Sequence, residues 1–180
     1  IQEDWQNGIT KVIVATTINS ISRNKYIESI KDIIGEFEFY YGVDDRDDIN
    51  NFVEENNKKI LYHPLGKCGI LYIGQIGCYI THYSILKMIV ENKYDNTIVL
   101  ENDIKFKNTE WRSYVKNIMD KELPKDYDML LLYSRGKNIN RPEYRILGKE
   151  LITRYNKTSG AVAFLISLNG AKKMINLLES

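Results

Sequence analysis

Glu101 and Asp103 are the residues of this sequence best placed to do chemistry. They follow directly on the apolar run Thr97-Ile98-Val99-Leu100 and are separated by a single residue, Asn102. An uninterrupted apolar run of this length suits a strand covered on both faces. In an open α/β sheet, ligands bind outside the carboxyl ends of the strands. If the backbone stays extended past Leu100, Glu101 and Asp103 project to one side and Asn102 to the other. Two carboxylates sharing one small volume repel and raise each other's pKa, whereas a hard divalent cation such as Mg²⁺ or Mn²⁺ stabilises both charges through oxygen ligands. A cation held there can bridge the phosphates of a nucleotide diphosphate and neutralise the charge that builds as the diphosphate leaves. Taken alone, an acidic pair after a strand more often simply solvates a turn, so its surroundings have to decide between the two readings.

The elements that must position this pair alternate along the chain. Lys11 to Ala15 is a short β-branched run that leads through Thr16, Thr17, Ile18 and Asn19 into a helix, with Ile27, Ile30, Ile33 and Ile34 at helical spacing and Ser20 or Ser22 as its cap. Glu36 to Tyr41 alternates, with Phe37, Phe39 and Tyr41 on one side, which predicts a second strand parallel to the first. Gly42 to Lys59 is rich in Asp, Asn and Glu and reads as a solvated surface loop. Ile76, Ile80, Tyr83, Met88 and Ile89 predict a central helix between Gly74 and Asn92, in which Gly77 allows close approach of a neighbour. Trp111, Tyr114, Val115, Ile118 and Met119 predict another helix, Met129 to Tyr133 and Ala161 to Ile166 two more strands, and Asn169 to Leu178 a last helix. No repeat or linker interrupts this alternation, so the expected fold is one α/β domain on a mostly parallel sheet flanked by helices.

The bulk numbers exclude several classes of function. Lys+Arg 25 against Asp+Glu 24 leaves a net charge of +1, too small a field to draw in a polyanion, so nucleic acid is not an expected partner. The apolar runs are strand-sized and predict no membrane span. Two cysteines, Cys68 and Cys78, are too few for a disulfide framework and leave the compartment open. The first residues lack the apolar core of a secretory signal, so any such address is expected outside this segment.

Gly74-Gln75-Ile76-Gly77-Cys78-Tyr79-Ile80-Thr81-His82 and Ile98-Val99-Leu100-Glu101-Asn102-Asp103-Ile104 resemble two linked motifs of glycosyltransferase family 25, G-E-I-G-C-x-x-S-H and L-E-D-D-V. Three further segments agree in order. Ile18-Asn19 with Arg23 is similar to the family's I-N-L-x-x-R start, Tyr127 to Tyr133 to its D-W-D-L-I-Y-L strand, and Ile166 to Met174 to V-I-S-L-x-G-A-x-K-L. Members of this family include bacterial lipooligosaccharide galactosyltransferases and the collagen hydroxylysine glycosyltransferases of animals and giant DNA viruses. The wording His82-Tyr83-Ser84 and Ser167-Leu168-Asn169-Gly170-Ala171 leans to the collagen-type branch. The resemblance implies a GT-A (Rossmann-like) fold over residues 1–180, a UDP-galactose or UDP-glucose donor, and a metal, usually Mn²⁺, held by Glu101 and Asp103. It implies a collagen-like polypeptide or an oligosaccharide as acceptor, and it leaves the compartment open between the secretory lumen and a viral or host cytoplasm. It further implies that the family's Asp-containing C-terminal segment lies beyond this sequence.

The sequence departs from the family pattern at Gln75, where Glu is usual, at Tyr26, where a second Arg is expected, and at Asn102, which replaces the middle acid. If the first and third positions carry the metal, Asn102 is harmless and its amide still donates a hydrogen bond. Beside the acidic motif, the resemblance implies that Thr16, Thr17 and Asn19 lie around the uridine, although small polar residues there also suit helix capping. Arg23 would meet the diphosphate, or else be a solvated helix charge. Asp44 and Asp45 would touch uracil or ribose, or stay in a solvated loop. Tyr155, Thr158 and Ser159 match a family segment near the meeting point of donor sugar and acceptor, with core packing as the competing account. His82 reads as a helical histidine hydrogen-bonded into the core, His63 has no companion at metal-ligand spacing, and Asn156-Lys157-Thr158 is a glycosylation sequon.

Overall fold

Five short strands carry the residues with the strongest β preference. They are β1 Lys11–Thr16, β2 Glu38–Tyr41, β3 Thr97–Glu101, β4 Met129–Leu131 and β5 Ala163–Ile166. The computed structural model describes residues 8–55, 73–133 and 162–180. The strands form one sheet in the order β2-β1-β3-β5-β4. β1 pairs in parallel with both β2 and β3, while β5 lies antiparallel to β3 and β4, so four strands share one direction and β5 is reversed. The parallel pairing of the first two strands follows the prediction from sequence.

Alternation along β1 and β3 builds a core on each face of the sheet. Val12, Val14, Ile98 and Leu100 pack with Ile27, Ile34 and Val115, which come from helices α1 (Ile21–Ser29), α2 (Lys31–Ile34) and α5 (Trp111–Lys121). Ile13, Ala15 and Val99 face Ile85, Leu86, Ile89 and Ala171, which come from helices α4 (Ile73–Glu91) and α6 (Leu168–Glu179). Ile13, Ile85, Ile89 and Ile98 are fully buried, and each such side chain contributes about 1.5–3 kcal/mol relative to leaving it in water. Because both faces of β3 are covered, its middle residues Ile98, Val99 and Leu100 are all apolar and no alternating polar face develops. Among the described residues, no helix is long and apolar enough to cross a membrane.

One expectation from composition is corrected. Arg46–Glu55, inside the stretch read as loop, forms helix α3. Its start is set locally, since the Asp45 carboxylate accepts from the Asp47 amide at 2.6 Å and the Asp45 carbonyl from the Ile49 amide at 3.1 Å. Acidic residues in the first turn also suit the positive end of the helix dipole. Ile49 is buried and Phe52 sets its ring edge-on to Tyr83 of α4, so one side of this largely polar helix docks on the fold.

Gly77 allows the close approach expected of it. A Cβ there would stand 2.7 Å from the backbone carbonyl of Val43, so α4 and the segment after β2 meet backbone to backbone. Gly77→Ala must push these two segments apart. The expected cost is on the order of 1 kcal/mol, read as a lower denaturant midpoint at unchanged slope.

Candidate active site

The loops leaving β1 and β3 open onto one cleft. Parallel neighbours place their carboxyl ends side by side, and the chain moves from β1 to β2 on one flank and returns to β3 on the other, which leaves a crevice between them. The crevice has a volume of about 280 Å³. Thr16 and Thr17 line it from the end of β1, Arg23 from α1, Asp44 from the segment after β2, and Glu101, Asn102 and Asp103 from the end of β3. Cys78 and His82 of α4 close its remaining side. Seven of the residues singled out in the sequence are thus gathered in one place although they are up to 87 positions apart (Thr16 to Asp103: 103 − 16).

The acidic pair is not arranged by strand alternation. β3 ends at Glu101, and the backbone turns at Asn102 and Asp103, with the Ile104 amide bonding back to the Glu101 carbonyl at 3.2 Å. This turn buries Asn102 and leaves Asp103 exposed. The Asn102 amide donates to Thr16 Oγ1 at 2.7 Å, and its Oδ1 accepts from Arg23 Nη1 at 3.3 Å. Thr16 Oγ1 in turn donates to Asn24 Oδ1. Asn102 therefore ties the end of β3 to the end of β1 and holds the Arg23 guanidinium over the cleft. The hydrogen-bond donor expected of it at the sequence level has Thr16 as its acceptor.

The neighbouring loops are drawn together in the same way. Asn19 donates to both carboxylate oxygens of Asp44 at 3.2 Å, joining the loop after β1 to the segment after β2. Thr17 and Ser20 hydroxyls lie 3.0 Å apart at the start of α1, where Ser20 occupies the cap position without a side-chain capping bond. Asp45 does not line the cleft, and its carboxylate is occupied at the start of α3. Ser159, Tyr155, Thr158, the Asn156 sequon, His63 and Cys68 lie outside the described residues.

Glu101 has partners that the sequence reading did not assign. Its Oε1 lies 3.2 Å from His82 Nε2 and 3.8 Å from Cys78 Sγ. Burial lowers the His82 pKa, but hydrogen bonds and charge interactions with Cys78 and Glu101 outweigh it and raise the value to about 9. The imidazole is consequently a cation at neutral pH, tilted against the Phe164 ring with centroids 5.8 Å apart and paired with Glu101. The helical histidine expected to be hydrogen-bonded into the core is so bonded and packs on Phe164, and it also lines the cleft. Cys78 and His82 are four apart on α4 and so share one helix face, and they occupy the C and H positions of the quoted motif; this spacing was the available signal.

Two kinds of cation ligand thus meet here. The carboxylates of Glu101 and Asp103 offer hard oxygen donors to one cleft, as Mg²⁺ or Mn²⁺ requires. Cys78, His82 and Glu101 bring sulfur, nitrogen and oxygen within 4.8 Å of one another.

Residues 10–180 match the family model described as "Glycosyltransferase family 25 (LPS biosynthesis protein)". Procollagen galactosyltransferase 1-B of Xenopus laevis is 31% identical over 104 residues, 57% of this chain and 17% of that protein. The Aedes aegypti protein named glycosyltransferase 25 family member is 26% identical over 159 residues, 85% of this chain and 25% of its own length. The Mus musculus protein named inactive glycosyltransferase 25 family member 3 is 27% identical over 103 residues, 57% of this chain and 17% of its own. The matched segment is a quarter or less of the length of each of these relatives.

Proposed function

This chain belongs to glycosyltransferase family 25, and from that premise we propose that it forms a GT-A-type domain that moves a hexose, galactose or glucose, from a UDP-sugar to a hydroxyl acceptor with the help of a divalent cation. The observation that carries this reading is the convergence of Thr16, Thr17, Arg23, Asp44, Glu101, Asn102 and Asp103 on one cleft at the carboxyl ends of two parallel strands. Glu101 and Asp103 would hold Mn²⁺ or Mg²⁺, which when bound supplies positive charge against the departing diphosphate.

The chain's own residues supply the rest. Arg23, held through its Nη1 by the Asn102 Oδ1, presents the rest of its guanidinium to the diphosphate, and the fixed hydrogen bond avoids reorganisation as charge develops. Thr16, Thr17 and Asp44 form the wall on which the uridine would rest, and Asn19, which does not itself line the cleft, holds Asp44 in place. Asp45 braces that wall by starting α3, and Ser159 remains with the donor-binding set.

The acceptor in this reading is a hydroxylysine or galactosylhydroxylysine of a collagen-like polypeptide, as the printed name of the Xenopus relative supports. The family model's description supports an oligosaccharide acceptor as the nearest alternative. A catalytically silent, binding-only reading is favoured by two observations: the mouse relative is named inactive, and Asn102 replaces the middle acid.

Calorimetric titration of UDP with and without Mn²⁺ tests the proposal. UDP binding at least tenfold tighter with Mn²⁺ is expected, and equal binding in both buffers would overturn it. Release of free hexose from UDP-galactose against UDP-glucose then identifies the donor, and no release from either selects the silent reading. Transfer to a hydroxylysine-containing peptide identifies the acceptor.

A further inference from the structure

We infer that Cys78, His82 and Glu101 form a site for a thiophilic divalent cation of the zinc class, distinct in ligand chemistry from the oxygen-only set of Glu101 and Asp103. Two elements build it. Residues 78 and 82 are one helical turn apart on α4, so both side chains project from the same face, and that face meets the carboxyl end of β3 where Glu101 emerges.

The distances suit a shared ion. Bonds of about 2.0 Å to nitrogen and oxygen and about 2.3 Å to sulfur at tetrahedral angles set donor separations of roughly 3.3 Å for N···O and roughly 3.5 Å for S···O. The observed separations are 3.2 Å between His82 Nε2 and Glu101 Oε1 and 3.8 Å between Cys78 Sγ and Glu101 Oε1. All three ligand atoms lie within 4.8 Å of one another, so a central ion is reached by small side-chain adjustments without moving the backbone.

The donor types select the metal. A thiolate and an imidazole bind Zn²⁺ or Co²⁺ in preference to Mn²⁺, which takes oxygen. Cys78 is a free thiol exposed to the cleft, so an ion can enter. Three protein ligands leave a fourth tetrahedral position open toward the cleft for water or an anionic oxygen. Binding releases the thiol proton and the proton on His82, and the ion takes both lone pairs.

This inference does not rest on glycosyl transfer and is tested without nucleotide. The full chain is stripped with chelator, desalted and titrated with Co²⁺. The expected result is one equivalent bound with a thiolate-to-cobalt charge-transfer absorption in the near ultraviolet, bleached by one equivalent of Zn²⁺. Cys78→Ser should lose that absorption, His82→Gln should weaken Co²⁺ binding at least tenfold, and Cys68→Ser should retain it; circular dichroism checks that each variant is folded. An absent charge-transfer band in the unmodified chain, or one that survives Cys78→Ser, would overturn the inference. Failure of Mn²⁺-dependent UDP binding would leave it standing.

Discussion

Asp103→Ala is expected to abolish metal-dependent UDP binding while leaving the fold intact. Asp103 is exposed on the turn that closes β3, so removing its carboxylate opens no cavity and strands no buried partner. Surface changes of that kind cost within about 0.5 kcal/mol of stability. The lost oxygen ligand acts on the cation alone, and the enhancement of UDP binding by Mn²⁺ should fall at least tenfold, about 1.4 kcal/mol. Calorimetry of UDP with and without Mn²⁺ reads the first quantity and urea denaturation the second. Full Mn²⁺ enhancement in the variant would remove Asp103 from the cation site.

Asn102→Ala is expected to do the reverse, damaging the scaffold more than the metal. Asn102 is 7% exposed and bridges Thr16 and Arg23 from the end of β3. Truncation deprives the buried Thr16 hydroxyl of its donor and frees the Arg23 guanidinium to swing out of the cleft. An unmade hydrogen bond at a buried polar group costs about 1–3 kcal/mol. For a domain of this size that lowers Tm by roughly 2–4 °C per kcal/mol. UDP affinity measured without Mn²⁺ should fall as well, since Arg23 is then no longer held in place. An unchanged Tm together with unchanged metal-free UDP binding would show that the bridge has no structural role.

These two outcomes separate roles that lie side by side in the chain. The middle position of the acidic motif, where this sequence departs from the family pattern, belongs to the framework. The first and third positions face the cleft. The substitution of an amide for an acid thereby provides a donor to a hydroxyl, which an ionised carboxylate cannot do.

The layered architecture was legible because it depends on local periodicity. β-branched runs at Lys11 to Ala15 and Thr97 to Leu100 declare strands within a few residues, and helical spacing in α5 declares the face it buries. Helix α3 was not legible, because its composition is largely polar and its docking rests on contacts with α4 and the core, Ile49 buried and Phe52 edge-on to Tyr83, that the local sequence does not show. Docking energy, rather than intrinsic preference, makes that segment helical. Part of the cleft lining was legible through motif resemblance, which named Thr16, Thr17, Arg23, Asp44, Glu101, Asn102 and Asp103 but did not assign Cys78 or His82 to it and carries no distances.

From its own residues the sequence determined which segments become strands and, α3 excepted, which become helices, and which polar residues follow the strands, since these properties depend on neighbours within about one turn. Tertiary structure alone decided what those polar residues touch. The turn after Glu101 separated Asp103 from Asn102, the parallel pairing of β1 and β3 brought Asn102 to Thr16, and the seating of α4 across the sheet brought Cys78 and His82 to Glu101. Contacts between residues 19 or 86 positions apart are set by how the layers pack, and packing minimises the exposed surface of the whole chain, a quantity no local stretch of sequence contains.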